Sequence, residues 1–154
     1  MRLSFVIPTR NQADFIRRCI DGCLAQGIAD SEIVVRDGAS TDDTVEVLRS
    51  YGERIRFTSE RDGGQSDAIN KGIAEARGDI IAWINSDDFY AHARVLVRAL
   101  HEFEDPEVDI VYGLGDMVDV EGRRLRGYPT EDRPSVRDMF VRPASFVLQP
   151  TVFF

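Results

Sequence analysis

The sequence has one lysine, Lys71, among 19 basic residues, and only two cysteines and two histidines in 154 positions. It has no apolar run near the ~20 residues that a membrane-spanning helix requires, which excludes a spanning segment. The opening residues carry one charge and a short apolar stretch broken by Pro8, so they read as a first strand and not as a secretory leader. The expected compartment is the cytoplasm, and peripheral association with the inner face of a membrane is compatible with it. Cys19 and Cys23 lie four apart on one helical face. They are too few for a disulfide framework and read as small apolar residues of a reduced core. His92 and His101 form no ligand set, and no Ser/His/Asp or Cys/His constellation supports a hydrolase. The phosphate-binding signatures G-x-x-x-x-G-K-[ST] and G-x-G-x-x-G are absent, which argues against P-loop kinases and nicotinamide dehydrogenases. A formal net charge of −8 argues against a general nucleic-acid surface. There is no internal repeat and no low-complexity tract.

Hydrophobic residues make up 43% and charged residues 30%, the composition of a soluble domain with a sizeable core. Residues 3–7 predict a first strand that Pro8 should stop. Asn11 is the expected N-cap of a helix whose apolar residues Phe15, Ile16, Cys19, Ile20, Cys23 and Leu24 recur at helical spacing, with Gly27 as its stop. Residues 32–36 predict a second strand, followed by a helix capped by Ser40 or Thr41 with Val45, Leu48 and Tyr51 inward. A third strand is expected around 55–58. A third helix starts near Ser66, carries Ile69, Ile73 and Ala76 inward and stops at Gly78. Residues 80–84 are apolar on both faces, as a central parallel strand would be. A fourth helix carries Val95, Leu96, Ala99, Leu100 and Phe103, and a fifth strand is expected at 109–112. Strands alternating with helices predict an α/β fold with a mainly parallel sheet. Glu121-Gly122 then predicts a hairpin between 117–120 and 123–128. A short helix near 135–141 and a strand-like end, 145–154, follow. The apolar terminus predicts burial and a chain that once continued.

In open α/β sheets ligands bind beyond the carboxyl ends of the strands, and the polar residues collect there. Pro8, Thr9, Arg10 and Asn11 follow the first strand, and Asp37 and Gly38 the second. Residues 61–65 follow the third, and Asn85, Ser86, Asp87 and Asp88 the fourth. An apolar strand thus delivers two carboxylates to the rim. Asp87 and Asp88 are hard oxygen donors suited to Mg²⁺ or Mn²⁺, although one could instead cap the next helix. An anionic ligand on so acidic a chain needs a divalent cation between the charges. Asp37 precedes the capping residues of the second helix, which frees it for a ligand. The segment GGQSDAINKG (63–72) is a Gly-rich turn entering a helix, a place where free N–H groups favour anions. Asp67, Asn70 and Lys71 fall on its first turns; each could equally be a solvated surface residue. A compact ammonium differs from a guanidinium as a donor, so Lys71 either marks a place needing one or stands there by chance.

Six segments, VIPTRNQADFIRRCIDGCLAQG, IVVRDGASTDDT, ERDGGQSDAINKG, IIAWINSDDFY, DIVYG and QPTVFF, occur in an order that resembles the family 2 glycosyltransferases with the GT-A fold. The resemblance covers nearly the whole chain. It implies a nucleotide-diphosphate-sugar donor, UDP- or GDP-linked, a divalent metal, and a saccharide or lipid-linked saccharide acceptor, as in bacterial polysaccharide biosynthesis. By position, Pro8, Thr9 and Asn11 would edge the nucleotide pocket, Asp37 would contact base or ribose, and Asp67, Asn70 and Lys71 would line the donor site. Asn85-Ser86-Asp87-Asp88 would be the D-x-D-type segment, with Ser86 and Asp87 toward the donor and Asp87 and Asp88 toward the metal. The chain departs from the family at Gly38, where a second acid is common, and at Asn85, where the first acid of the motif would stand. On this reading residues 1–154 are one incomplete GT-A domain, with 1–113 binding the nucleotide sugar and 114–154 beginning the acceptor side. Inverting members of the family use a carboxylate general base beyond the QPTVFF-like segment, so that base is expected after Phe154; Asp116 is the nearest internal candidate. The alternatives are a non-catalytic nucleotide-sugar-binding module, and a sugar nucleotidyltransferase, whose Gly-rich basic first loop PTRNQ does not supply.

Overall fold

The computed structural model describes residues 1–128 and 147–154. In chain order the elements are β1 (Leu3–Thr9), α1 (Ala13–Leu24), β2 (Ser31–Asp37), α2 (Thr44–Arg49), β3 (Arg56–Ser59), α3 (Gln65–Glu75), β4 (Ile80–Trp83), α4 (Val95–Glu102), β5 (Asp116–Val118) and β6 (Arg124–Gly127). The first four strands form a parallel sheet in the order β3-β2-β1-β4, as the strand–helix alternation predicts. Among the described residues no helix is long and apolar enough to cross a membrane.

Side chains alternate across a strand, and here that separates two chemistries. Leu3, Phe5 and Ile7 of β1 and Ile33 and Val35 of β2 meet Ile16, Cys19, Ile20 and Cys23 of α1, Leu48 of α2 and Leu96 of α4 in one core. Both cysteines are free thiols within it. The intervening positions, Ser4, Val6, Val34 and Arg36, are buried on the other face. There α3 lies so close that a Cβ at Gly72 would stand 2.5 Å from Val6 Cγ1 and 3.4 Å from Arg36 Cγ. A side chain at this position would overpack the contact.

Several expectations need correction. Pro8 does not end β1: it pairs in register with Arg36, and the strand runs on to Thr9. In a parallel strand alternate residues turn their polar groups to opposite neighbours. Val6 turns its carbonyl to Ile84, so the missing N–H of Pro8 falls on that same side, where the β1–β4 ladder ends at Val6 and Trp83; the pairing with β2 needs no N–H from Pro8. Asn11 does not cap α1. The N–H of Gln12 donates to Thr44 Oγ1 (2.9 Å) and that of Ala13 to Asp42 Oδ2 (3.2 Å), so the residues leading into α2 serve the start of α1. Neither Ser40 nor Thr41 caps α2; Asp42 Oδ1 accepts the Thr44 N–H at 3.0 Å instead. Gly78 follows an α3 that has already ended, and its smallness serves packing: a Cβ there would lie 2.6 Å from the Ser4 nitrogen. β4 has one parallel neighbour, not two. Its outer side is closed by the antiparallel chain end, where Ile81 and Phe154 exchange bonds of 2.7 and 3.2 Å. That end also takes the place of the expected fifth strand, leaving only an isolated bridge from Val111 to Phe153. The strand-like end itself contains a 3-10 turn at Gln149–Thr151 before the buried Phe153. The hairpin forms as expected, β5 antiparallel to β6, with Gly122 at φ 83°. The helix expected at 135–141 lies outside the described residues.

Candidate functional site

The loops leaving β1 and β2 are stitched together. Asn11 adopts a left-handed backbone at φ 52°, a conformation its short amide tolerates. Its N–H donates to Ser40 Oγ (2.7 Å) and its Oδ1 accepts the Thr41 N–H (2.8 Å). Asp37 is 2% exposed. It accepts the Ser40 N–H at 3.0 Å, the Ser40 hydroxyl, and the Ser59 hydroxyl at 2.5 Å. A carboxylate has about four acceptor positions, so Asp37 braces the rim and has one acceptor position left. Pro8 is buried within β1. Thr9, at the last position of that strand, is also buried, and its Oγ1 has no hydrogen-bond partner among the described residues. Such an orphan at a strand end is a group a ligand can satisfy.

Around α3 the Gly-rich turn is held by carboxylates. Asp62 Oδ1 accepts the Gly64 N–H (2.9 Å) and Asp67 Oδ2 the Gly63 N–H (3.0 Å). Lys71 Nζ lies 2.9 Å from Asp67 and 3.5 Å from Glu60. The Gly63 N–H and Lys71 hold the Asp67 carboxyl below its ordinary value, and Asp67, with Glu60, pushes the Lys71 ammonium up. Asn70 is exposed beside them. Beneath, Arg36 bonds Glu60 at 2.5 Å and Glu75 at 2.7 Å.

At the end of β4, Ser86 is buried, Asp87 exposed and Asp88 half-buried. Burial first, and the neighbouring Asp87 charge second, push Asp88 up to about 6 against a hydrogen bond from Asn85. Asn85 is the hub of this loop. Its Nδ2 donates to Gln149 Oε1 (2.8 Å), and its Oδ1 accepts from Gln65 Nε2 (2.9 Å). Gln149 Nε2 in turn donates to the Trp83 carbonyl at 2.6 Å. The loop after β4, the start of α3 and residues 149–154 therefore share one chain of amides. Sequence reasoning placed Gln65 on the rim without giving it a role and missed Gln149, whose one signal was membership of the QPTVFF segment. It also missed Arg36, an ordinary cation in sequence that is 5% exposed in the fold.

Among the described residues no group of three His, Cys, Asp or Glu could hold a metal ion. The pair Asp87–Asp88 nevertheless fits Mg²⁺ or Mn²⁺, which bind through one or two carboxylates with ligand phosphates and water supplying the rest. Burial, and after it the Asp87 charge, raises Asp88; a cation between the two carboxylates would relieve the second of these. Asp116 sits on the hairpin, 2.9 Å from Arg124 Nε.

A solved Staphylococcus aureus TarS structure (residues 1–349) superimposes with a TM-score of 0.73 over all of this chain and 47% of its own, at 23% identity, and so shares its fold. The Pyrobaculum calidifontis mannosyltransferase PcManGT, solved with GDP-Man and Mn²⁺, matches at TM-score 0.67 and 28% identity over 72% of this chain and 34% of its own. A Rickettsia felis protein described as an uncharacterized glycosyltransferase is 34% identical over 128 residues, 80% of this chain but 21% of that relative. Pasteurella multocida chondroitin synthase is 35% identical over 131 residues, 82% of this chain and 14% of its own length. The model of "Glycosyl transferase family 2" matches residues 4–150. With the GT-A fold and the strand-end loops in place, the chain belongs to glycosyl transferase family 2.

Proposed function

We propose that the rim of the sheet binds the diphosphate of a UDP- or GDP-linked sugar, and that the enzyme transfers this sugar, with inversion, to a hydroxyl of a saccharide or lipid-linked saccharide. The observation that carries the reading is four strand-end loops on one rim, those after β1 and β2 joined through Asn11 and those after β3 and β4 through Gln65 and Asn85. Thr9 and Asn11 lie on the nucleotide side above Pro8, and Asp37 offers its remaining acceptor position to base or ribose. Asp67, Asn70 and Lys71 line the donor side, with Ser86 and Asp87 opposite. Asp87 and Asp88 hold the divalent cation, which supplies charge neutralisation for the departing nucleoside diphosphate. PcManGT, with its GDP-Man and Mn²⁺, and chondroitin synthase support this donor chemistry and a role in polysaccharide biosynthesis. No general base is assigned among the described residues; Asp116 is engaged by Arg124.

Calorimetric titration of the chain with UDP and with GDP, each with and without Mn²⁺, tests the reading. Binding of one nucleotide that strengthens with Mn²⁺, and loses that gain in Asp87→Ala/Asp88→Ala, is expected. Full affinity in the double variant, or binding indifferent to metal, would overturn the metal assignment.

A further inference from the structure

We propose that Arg36 is a positioning residue that, by holding the shared Glu60 carboxylate closer to itself than to Lys71, keeps the Lys71 ammonium available to an anionic ligand. The inference rests on reading the rim as a nucleotide-sugar site. Glu60 Oε1 is shared: Arg36 Nη2 stands 2.5 Å from it and Lys71 Nζ 3.5 Å. Coulomb attraction favours the nearer charge, and the planar guanidinium is the better-organised donor for a carboxylate. Arg36 cannot follow Glu60 outward. Its side chain is 6% exposed, its other arm is fixed on Glu75 at 2.7 Å, and α3 closes over it at Gly72. Glu60 is free to move, since its side chain is 51% exposed. Lys71 already has one carboxylate, Asp67, at 2.9 Å. Without the Arg36 charge, Glu60 can close from 3.5 Å onto a Lys71 that already pairs with Asp67, and the cluster facing a phosphate passes from neutral to net negative.

The effect is separable from folding and from net charge. Removing one partner of a buried ion pair is costly where it strands the other charge away from water, but both carboxylates released by Arg36→Met can reach water. Arg36→Met should weaken UDP or GDP binding in Mn²⁺ by about tenfold, the scale of one charge-assisted hydrogen bond. Arg36→Met/Glu60→Gln should restore wild-type affinity. Arg36→Met/Glu75→Gln has the same net charge as that rescue but leaves Glu60 free, and should stay weak. Lys71 is the one lysine of the chain, so reductive ¹³C-methylation gives a single dimethyl-lysine resonance beside the α-amine. Its titration should move to higher pH in Arg36→Met and in Arg36→Met/Glu75→Gln, and return in Arg36→Met/Glu60→Gln. Rescue by both double variants alike would reduce the effect to net charge and overturn the proposal. So would a lysine titration indifferent to Arg36, or one that shifts with no change in nucleotide affinity. The lysine resonance needs no nucleotide, so its failure is distinct from a wild-type chain that binds neither UDP nor GDP, which would sink the donor-site reading itself.

Discussion

The two faces of the parallel sheet are built on different principles. One carries Leu3, Phe5, Ile7, Ile33 and Val35 into an apolar core under three helices. The other carries Ser4, Glu32 and Arg36 beside Val6 and Val34, under α3. There Ser4 Oγ donates to Glu32 (2.8 Å), and Glu32 also accepts the Arg77 N–H (2.6 Å) and Arg56 (2.9 Å). The first face stabilises by area removed from water, which is non-directional and roughly additive. The second depends on each buried polar group finding its partner, so loss of one partner strands another. The division has a spatial logic. The charges on the polar face lead from Arg36 through Glu60 and Lys71 to Asp67 and the Gly-rich turn. The apolar face supplies the rigidity against which that turn is held.

The contrast can be broken from either side. Ile20→Ala, at a fully buried position of the apolar face, should cost about 2–5 kcal/mol in urea unfolding, nearly independent of pH. A loss well below that range would mean that this core does not set the stability. Glu32→Gln, on the polar face, should cost about 1–2 kcal/mol near neutral pH, with a pH signature that Ile20→Ala lacks. Burial alone would raise the Glu32 carboxyl, but bonds from Ser4, the Arg77 N–H and Arg56 outweigh it and hold it below its ordinary value of 4.5. On acidification the unfolded chain therefore takes up this proton first, and the stabilisation is lost as pH falls below 4.5. The gap between wild type and Glu32→Gln should close there; a gap unchanged into acid would remove Glu32 from the account. The smallest effect is expected at the rim. Without metal, Asp88 binds its proton more tightly folded than unfolded, so its contribution falls as pH rises from 3.8 to about 6. Asp88→Asn should erase that slope and melt slightly above wild type at neutral pH. Adding Mn²⁺ should reverse the order, and an order unmoved by Mn²⁺ would count against Asp88 as a ligand.

The larger architecture was legible because it follows from periodicity. The apolar spacing of α1 and the strand–helix alternation need nothing beyond neighbouring residues, and Gly, Asn and Asp at strand ends mark the rim for the same reason. What was not legible depends on residues distant in sequence. Asn11 has the chemistry of a helix cap, but the groups that serve α1 come from Asp42 and Thr44. Pro8 interrupts a strand only if its N–H is needed, and need is set by how far β4 extends. Gly78 resembles a helix stop, yet it is small because Ser4 is beside it. Arg36 differs in sequence from no other arginine; burial beneath α3 gives it a role. The amide chain through Asn85 was invisible because glutamine carries no spacing signature, although both partners lay in segments already singled out.

Asn85 and Gln149 are 64 residues apart, and this separation sets an order of events during synthesis. At about 5–20 residues per second, Gln149 leaves the ribosome roughly 3–13 s after Asn85. In that interval β1–β4 can pair, but the outer side of β4 still awaits Phe153 and Phe154, and the loop after β4 lacks its anchor. An unpaired strand edge is a template for any other strand within reach. Until residues 149–154 emerge, the sheet has one edge exposed and its site loop unfastened, and those residues correct both faults at once.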